Sequence, residues 1–297
     1  MKSHSLYRFT WYAVNVALTI ALILALWSIG WEYSTRRYLK GFSDAVIPAS
    51  ASAEGKVQAI LDWMAHGPAR QTAGAPDASV PDRDPTETLN YDALLQVCGT
   101  ATNAFVNLAD SANLEARRVL LLDTRGLTKH VSAEVLVDGR WIVVDPAFRT
   151  IFRGADGKTL TRSELADPVV FAAAVGRVHG YDTSYSYEWT VHLRKDRLAI
   201  VGAPLFGILN RLAPDWAEST IVSLLAERES LVAVLGSILL VVFLLLVRVS
   251  LRWYGEKRLG VRTYRVREQL HRAVSAFLRP ADPLGVSKLM PGKGPTR

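Results

Sequence analysis

The segment His130-Val-Ser-Ala-Glu-Val-Leu-Val-Asp-Gly-Arg-Trp-Ile-Val-Val-Asp145 alternates in character on both sides of a central Asp138-Gly139. Alternation with period two is the pattern of a half-buried strand. Asp-Gly between two such runs is a two-residue hairpin turn. With that turn, Val137 faces Arg140, Glu134 faces Val143 and Ser132 faces Asp145. One face then carries His130, Ser132, Glu134, Trp141 and Asp145. The other carries Val131, Ala133, Val135, Val137, Ile142 and Val144, all apolar, and must be core. His130 and Asp145 become diagonal neighbours, about 7–8 Å apart between backbones, a gap that long side chains bridge.

Working outward, Arg118–Asp123 and Tyr185–Leu193 also read as strands. Upstream, Ala101, Ala104, Phe105 and Leu108 recur at helical spacing, and Val57, Ile60, Leu61 and Met64 do the same in a segment before them. Residues 71–90 are polar with three prolines and read as a loop. Helices followed by an antiparallel sheet predict an α+β domain. Cys98 stands just before the helical pattern that opens at Gly99-Thr100-Ala101. A cysteine there meets unpaired backbone N–H groups and the positive end of the helix dipole, both of which favour thiolate. It is the only cysteine, so no intramolecular disulfide forms.

Two charge-free apolar runs flank this domain. Trp11–Trp31 is long enough to cross a bilayer, and Leu231–Val247 reaches that length if Arg248 and Arg252 snorkel. Tryptophans and tyrosines bracket the first run, and Trp253 and Tyr254 follow the second, as interfacial residues do. No small-x-small cleavage site closes the first run, so it reads as an anchor. The net charge of +7 hides an uneven distribution: residues 248–297 alone carry +9. That basic excess beside a span places the C-terminus in the cytoplasm and suits anionic lipid, not nucleic acid. The expected organisation is a cytoplasmic N-terminus (1–10), a first transmembrane helix (11–31), a juxtamembrane helical segment and linker (32–90), the α+β domain (91–200), a second juxtamembrane segment (201–230), a second transmembrane helix (231–247) and a basic cytoplasmic tail (248–297). The chain is thus read as a two-pass inner-membrane protein with both termini cytoplasmic and its central domain periplasmic.

The stretches Cys98-Gly-Thr-Ala-Thr-Asn-Ala-Phe105, Leu114-Glu-Ala-Arg-Arg-Val119, His130-Val-Ser-Ala-Glu-Val135 and Asp138-Gly-Arg-Trp-Ile-Val-Val-Asp-Pro146 resemble the motifs of the transglutaminase-like superfamily. The resemblance implies a papain-like α+β core, a helix bearing the cysteine packed on an antiparallel sheet. It implies Cys98 as nucleophile, His130 as base and Asp145 as the group that orients the imidazole. Asn113-Leu-Glu replaces the family's Gly-Ile-Pro, and Ser132 stands where the family has a tryptophan, which alters the cleft wall and leaves the substrate open.

Around such a triad, the backbone N–H of Cys98 with Gln96 or Tyr91 would supply oxyanion donors, and Ser132, Glu134 and Trp141 would line the substrate cleft. Glu134 alternatively pairs with Arg117 or Arg118. His66, His179 and His192 show no metal-ligand spacing, and neither a metal nor another cofactor is expected. The expected activity is acyl transfer at an amide of a protein or peptide outside the cytoplasm, with hydrolysis preferred to cross-linking. The alternative is an idle scaffold with partners in envelope or polysaccharide-export assembly.

Overall fold

The computed structural model describes residues 2–66, 85–89, 97–194, 207, 210–260 and 274–275. In chain order its elements are α1 (Lys2–Val46), α2 (Ala53–Ala65), α3 (Pro85–Thr88), α4 (Cys98–Ser111), β1 (Ala116–Leu122), β2 (Thr128–Val137), β3 (Arg140–Asp145), β4 (Thr150–Ile151), α5 (Arg162–Leu165), α6 (Pro168–Val175), β5 (Thr190–Val191), a 3₁₀ turn (Trp216–Glu218), α7 (Thr220–Glu227) and α8 (Glu229–Arg258). The five strands form one antiparallel sheet in the order β4-β3-β2-β1-β5. The chain is an α+β protein with two helices long and apolar enough to cross a membrane.

The hairpin at the centre forms as its sequence dictates. Asp138 and Gly139 both adopt positive φ, 48° and 79°, the signature of the primed turn that matches strand twist. Val137 pairs with Arg140, Glu134 with Val143 and Ala133 with Val144. Ala133, Val135, Val137, Ile142 and Val144 therefore point to one side, where they pack with Ala101, Phe105 and Leu108 of α4 and Val57, Ile60, Leu61 and Met64 of α2. α2 starts where the Ser52 hydroxyl accepts the Gly55 N–H at 3.1 Å. α4 stops at Ala112, followed by Asn113 in the left-handed conformation (φ 57°), a common way to end a helix.

The opposite face of the sheet is covered as well. Val119, Leu121 and Val143 pack beneath Phe152, Leu160, Leu165, Phe171, Tyr181 and Tyr187. The strand expected over Tyr185–Leu193 shrinks to Thr190–Val191, which pair with β1. Tyr185 and Tyr187 instead turn toward the sheet as part of an aromatic layer, because ring packing and the buried Tyr187 hydroxyl bond outweigh a longer edge ladder.

α1 is one unbroken helix of 45 residues, about 65 Å long at the standard rise. It continues well beyond the apolar run 11–31. Ion pairs from Glu32 to Arg36 and from Lys40 to Asp44 line its later turns. It ends two residues before Pro48, whose ring disfavours helix in the residue preceding it. α8 covers the second apolar run with 30 residues. Past the expected boundary at 200, α7 packs on β1 and α4; the α+β fold continues to the start of α8.

The chain divides into two compact units. The larger, residues 21–241, holds the sheet and every residue of the site described below. The smaller comprises residues 1–20 and 242–297. Within the smaller unit Tyr7 stacks with Trp11, Arg248 lies over the Trp11 ring, and Gly255 sits so close to Tyr7 that any β-carbon would collide with the phenol.

In the larger unit a buried polar seam joins α1, α4, α7 and α8. Arg228, only 1% exposed, donates to Asn107 Oδ1 and Asp110 Oδ2, each at 2.9 Å, and to Glu32 Oε1 at 3.3 Å. Ser230 donates to Glu32 Oε2 at 2.7 Å. Asn103 and Asn107 both donate to the Glu227 carbonyl, and the Glu227 carboxylate pairs with Arg118 of β1. These bonds satisfy charges whose burial alone would be strongly unfavourable.

Candidate active site

Cys98 is the first residue of α4, preceded by Val97 in extended conformation. The Thr100 hydroxyl donates to the Val97 carbonyl at 2.9 Å, which closes the first turn. The Thr102 hydroxyl donates to the Val131 carbonyl at 3.1 Å and ties α4 to β2 next to His130. This docking sets the Cys98 end of the helix against the strand that carries the histidine.

His130 and Asp145 lie on the same face of the hairpin, both fully buried. His130 Nε2 is 2.6 Å from Asp145 Oδ2. The carboxylate is held from every side. The backbone N–H groups of Ala147 and Phe148 donate to Oδ1 at 3.1 and 3.2 Å, and the Tyr181 hydroxyl donates to Oδ2 at 3.1 Å. With Nε2 committed to Asp145, the Nδ1 atom is left for the thiol, and it has no oxygen or nitrogen partner among the described residues. Burial pulls the imidazole pKa down, but the Asp145 charge and hydrogen bond, with the hydrogen bond and charge of Cys98, raise it to about 9.

An aromatic box closes the imidazole. Tyr185 stacks on it nearly parallel, with 4.4 Å between centroids and 9° between planes. Phe148 and Tyr181 contact it at 5.9 and 6.2 Å. Tyr187 donates to Ser132 Oγ at 3.2 Å. Burial is the main cause that pushes the Tyr181 and Tyr187 phenols far above their ordinary range, so both are hydrogen-bond donors at any ordinary pH.

A family model, the transglutaminase-like superfamily core, matches residues 40–146. This chain carries a transglutaminase-like domain. No curated protein and no solved structure matches the chain. The matched stretch of the transglutaminase-like domain runs from the end of α1 through β3 and includes Cys98, His130 and Asp145. Members of the superfamily commonly use a Cys-His-Asp set, and this domain brings those three residue types together. The match stops short of the tyrosine segment and of the Glu227-Arg228 seam.

The remaining candidates take other places. Ser132 is fully buried beneath Tyr187 and does not form a cleft wall. Glu134, 2% exposed, is likewise closed off. Arg117 donates to its Oε2 through Nε and Nη2, each at 2.9 Å, and His192 Nε2 lies 2.9 Å from the same oxygen. Arg162 approaches Oε1 at 3.5 Å. Burial works against ionisation of Glu134, but the His192 hydrogen bond and the Arg117 and Arg162 charges hold its carboxyl below the usual range. Trp141 is half-buried under the Arg117 guanidinium, 4.1 Å from the ring centre. The strand alternation placed all three on the right face, but a second layer covers that face. Gln96 and Tyr91 lie outside the described residues. The sequence reading missed Phe148, Tyr181, Tyr185 and Tyr187; the cluster Tyr181-Asp-Thr-Ser-Tyr-Ser-Tyr187 was the available signal, three phenols in seven residues.

Proposed function

We propose that the chain is a membrane-anchored cysteine enzyme that transfers acyl groups from amides outside the cytoplasm, with water as the usual acceptor. The observation that carries the reading is the His130–Asp145 pair, 2.6 Å apart and fully buried, on a strand to which the Cys98 helix is bonded. The Cys98 sulfur attacks the amide carbonyl, and the tetrahedral oxyanion is stabilised by the positive end of α4, where Cys98 stands. As the C–N bond breaks, His130 hands a proton from its free ring nitrogen to the departing amine, leaving a thioester. His130 then takes a proton from water, which displaces the sulfur and releases the acid. Asp145 fixes the ring and stabilises imidazolium throughout.

The membrane part rests on α1 and α8 being long and apolar enough to span. The outward placement of the domain rests on the seven Lys and Arg residues between Arg248 and Arg267. A second reading, an idle scaffold, draws on Tyr185, which lies flat on His130 and closes the imidazole from solvent. An acyl-electrophile probe separates the two. Labelling of Cys98 in the native full-length chain, slowed strongly by His130→Ala, supports the enzyme. Labelling only after denaturation supports the scaffold and overturns the enzyme.

A further inference from the structure

We infer that Tyr181 is a positioning residue of the Cys98-His130-Asp145 set: its hydroxyl holds Asp145 Oδ2 and tempers the pull of that oxygen on His130. The inference rests on the function proposed above and adds a residue that lies beyond the family-matched stretch.

The geometry is specific. Asp145 Oδ2 receives two donors, His130 Nε2 at 2.6 Å and the Tyr181 hydroxyl at 3.1 Å, while Oδ1 is taken up by two backbone N–H groups. Because the backbone already fixes Oδ1, the carboxylate does not need Tyr181 merely to keep its place. What the phenol adds is a donor at the same oxygen that serves the imidazole. A hydrogen bond to a carboxylate spreads its charge and lowers its proton affinity. An Asp145 without that donor is a stronger base and grips the imidazolium more tightly.

The phenol is itself held rigidly. The Tyr181 ring meets Phe148 at 4.4 Å, Phe152 at 5.6 Å edge-on and Phe171 at 6.1 Å edge-on. Other ionisable groups around this centre are Cys98 from α4, Lys129 beside His130 on β2, Glu134 further along β2, and Asp182, Tyr185 and Tyr187 from the tyrosine segment. Of the tyrosines, Tyr181 is the one whose hydroxyl bonds the Asp145 carboxylate directly.

The test is the rate of Cys98 alkylation by iodoacetamide, measured on the full chain in detergent from about pH 5 to about pH 10.5. In the wild type the rate profile should bend near pH 9 as His130 loses its proton. In Tyr181→Phe, which keeps the ring and removes the hydroxyl, the bend should move up by about half a pH unit or more. Phe171→Leu is the packing control: it loosens the same ring cluster but leaves the hydroxyl, so it should melt lower with the bend unmoved. A Tyr181→Phe profile that coincides with the wild type overturns the inference, as does a Phe171→Leu shift of equal size. If wild-type Cys98 reacts only on denaturation, the proposed function itself fails, a result distinct from either of these.

Discussion

The Nε2 atom of His130 stands 2.6 Å from Oδ2 of Asp145 in a place that solvent does not reach. Such a pair stabilises the fold most while the imidazole carries its proton, because the hydrogen bond is then also an ion pair. The folded pKa, about 9, lies above the ordinary value of 6.5. The stabilisation is therefore complete below about pH 6.5 and fades as pH rises through about 9. Unfolding in detergent should show a loss on the order of 3 kcal/mol at most across that window. Asp145→Asn should flatten the slope; an unchanged slope in that variant would separate the pH dependence from this pair.

His130→Ala and Asp145→Asn should each slow acyl-probe labelling of Cys98 at neutral pH by about two to four orders of magnitude. Asp145→Asn should leave the fold standing, because an amide oxygen can still accept the Ala147 and Phe148 N–H groups. Circular dichroism beside the labelling rate checks both statements. A near-normal rate in either variant would remove that residue from the mechanism.

Glu134 sits among Arg117, Arg162 and His192. Glu134→Ala would leave the buried Arg117 guanidinium without its carboxylate, a change that should cost about 3–5 kcal/mol in denaturant unfolding. Native Glu134 also contributes stability that disappears as pH falls through its depressed pKa, so the variant should lose part of the acid sensitivity. Below its melting temperature the variant should label at Cys98 as fast as wild type. A selective loss of labelling would restore Glu134 to the cleft.

An enzyme reporter active only in the cytoplasm should work when fused after Arg297 and fail when inserted between residues 71 and 90. The expectation follows from the basic residues after Val247. The reverse pattern would turn the domain inward and place its chemistry in the cytoplasm.

The register of the hairpin was legible from two residues, because Asp138-Gly139 admits one turn geometry, and period-two alternation then assigns every side chain to a face. Cys98 at a helix start was legible from the spacing of Ala101, Ala104, Phe105 and Leu108. What covered the polar face was not. Tyr185 and Tyr187 alternate like a strand, yet they pack against His130, Phe152 and Ser132, contacts between residues 35 to 55 apart in the chain that no local period encodes. The reach of α1 to Val46 was hidden for a different reason: its later turns are carried by charged pairs, the buried Glu32–Arg228 contact and the packing of Leu39 and Phe42 on the core, not by a continuing apolar run.

The seam at Arg228 decides how this protein can be divided. Its donors and acceptors come from residues 32, 103, 107, 110, 118, 227, 228 and 230, so they straddle both limits of the family-matched stretch 40–146. A fragment trimmed to that stretch would keep Asn103, Asn107 and Asp110 but discard Glu32, Glu227 and Arg228. A polar cleft would then open along the helix that begins with Cys98. Any water-soluble version must carry the last turns of α1 and the first of α8 with it, since α4 and the adjoining turns of those two helices share one buried seam.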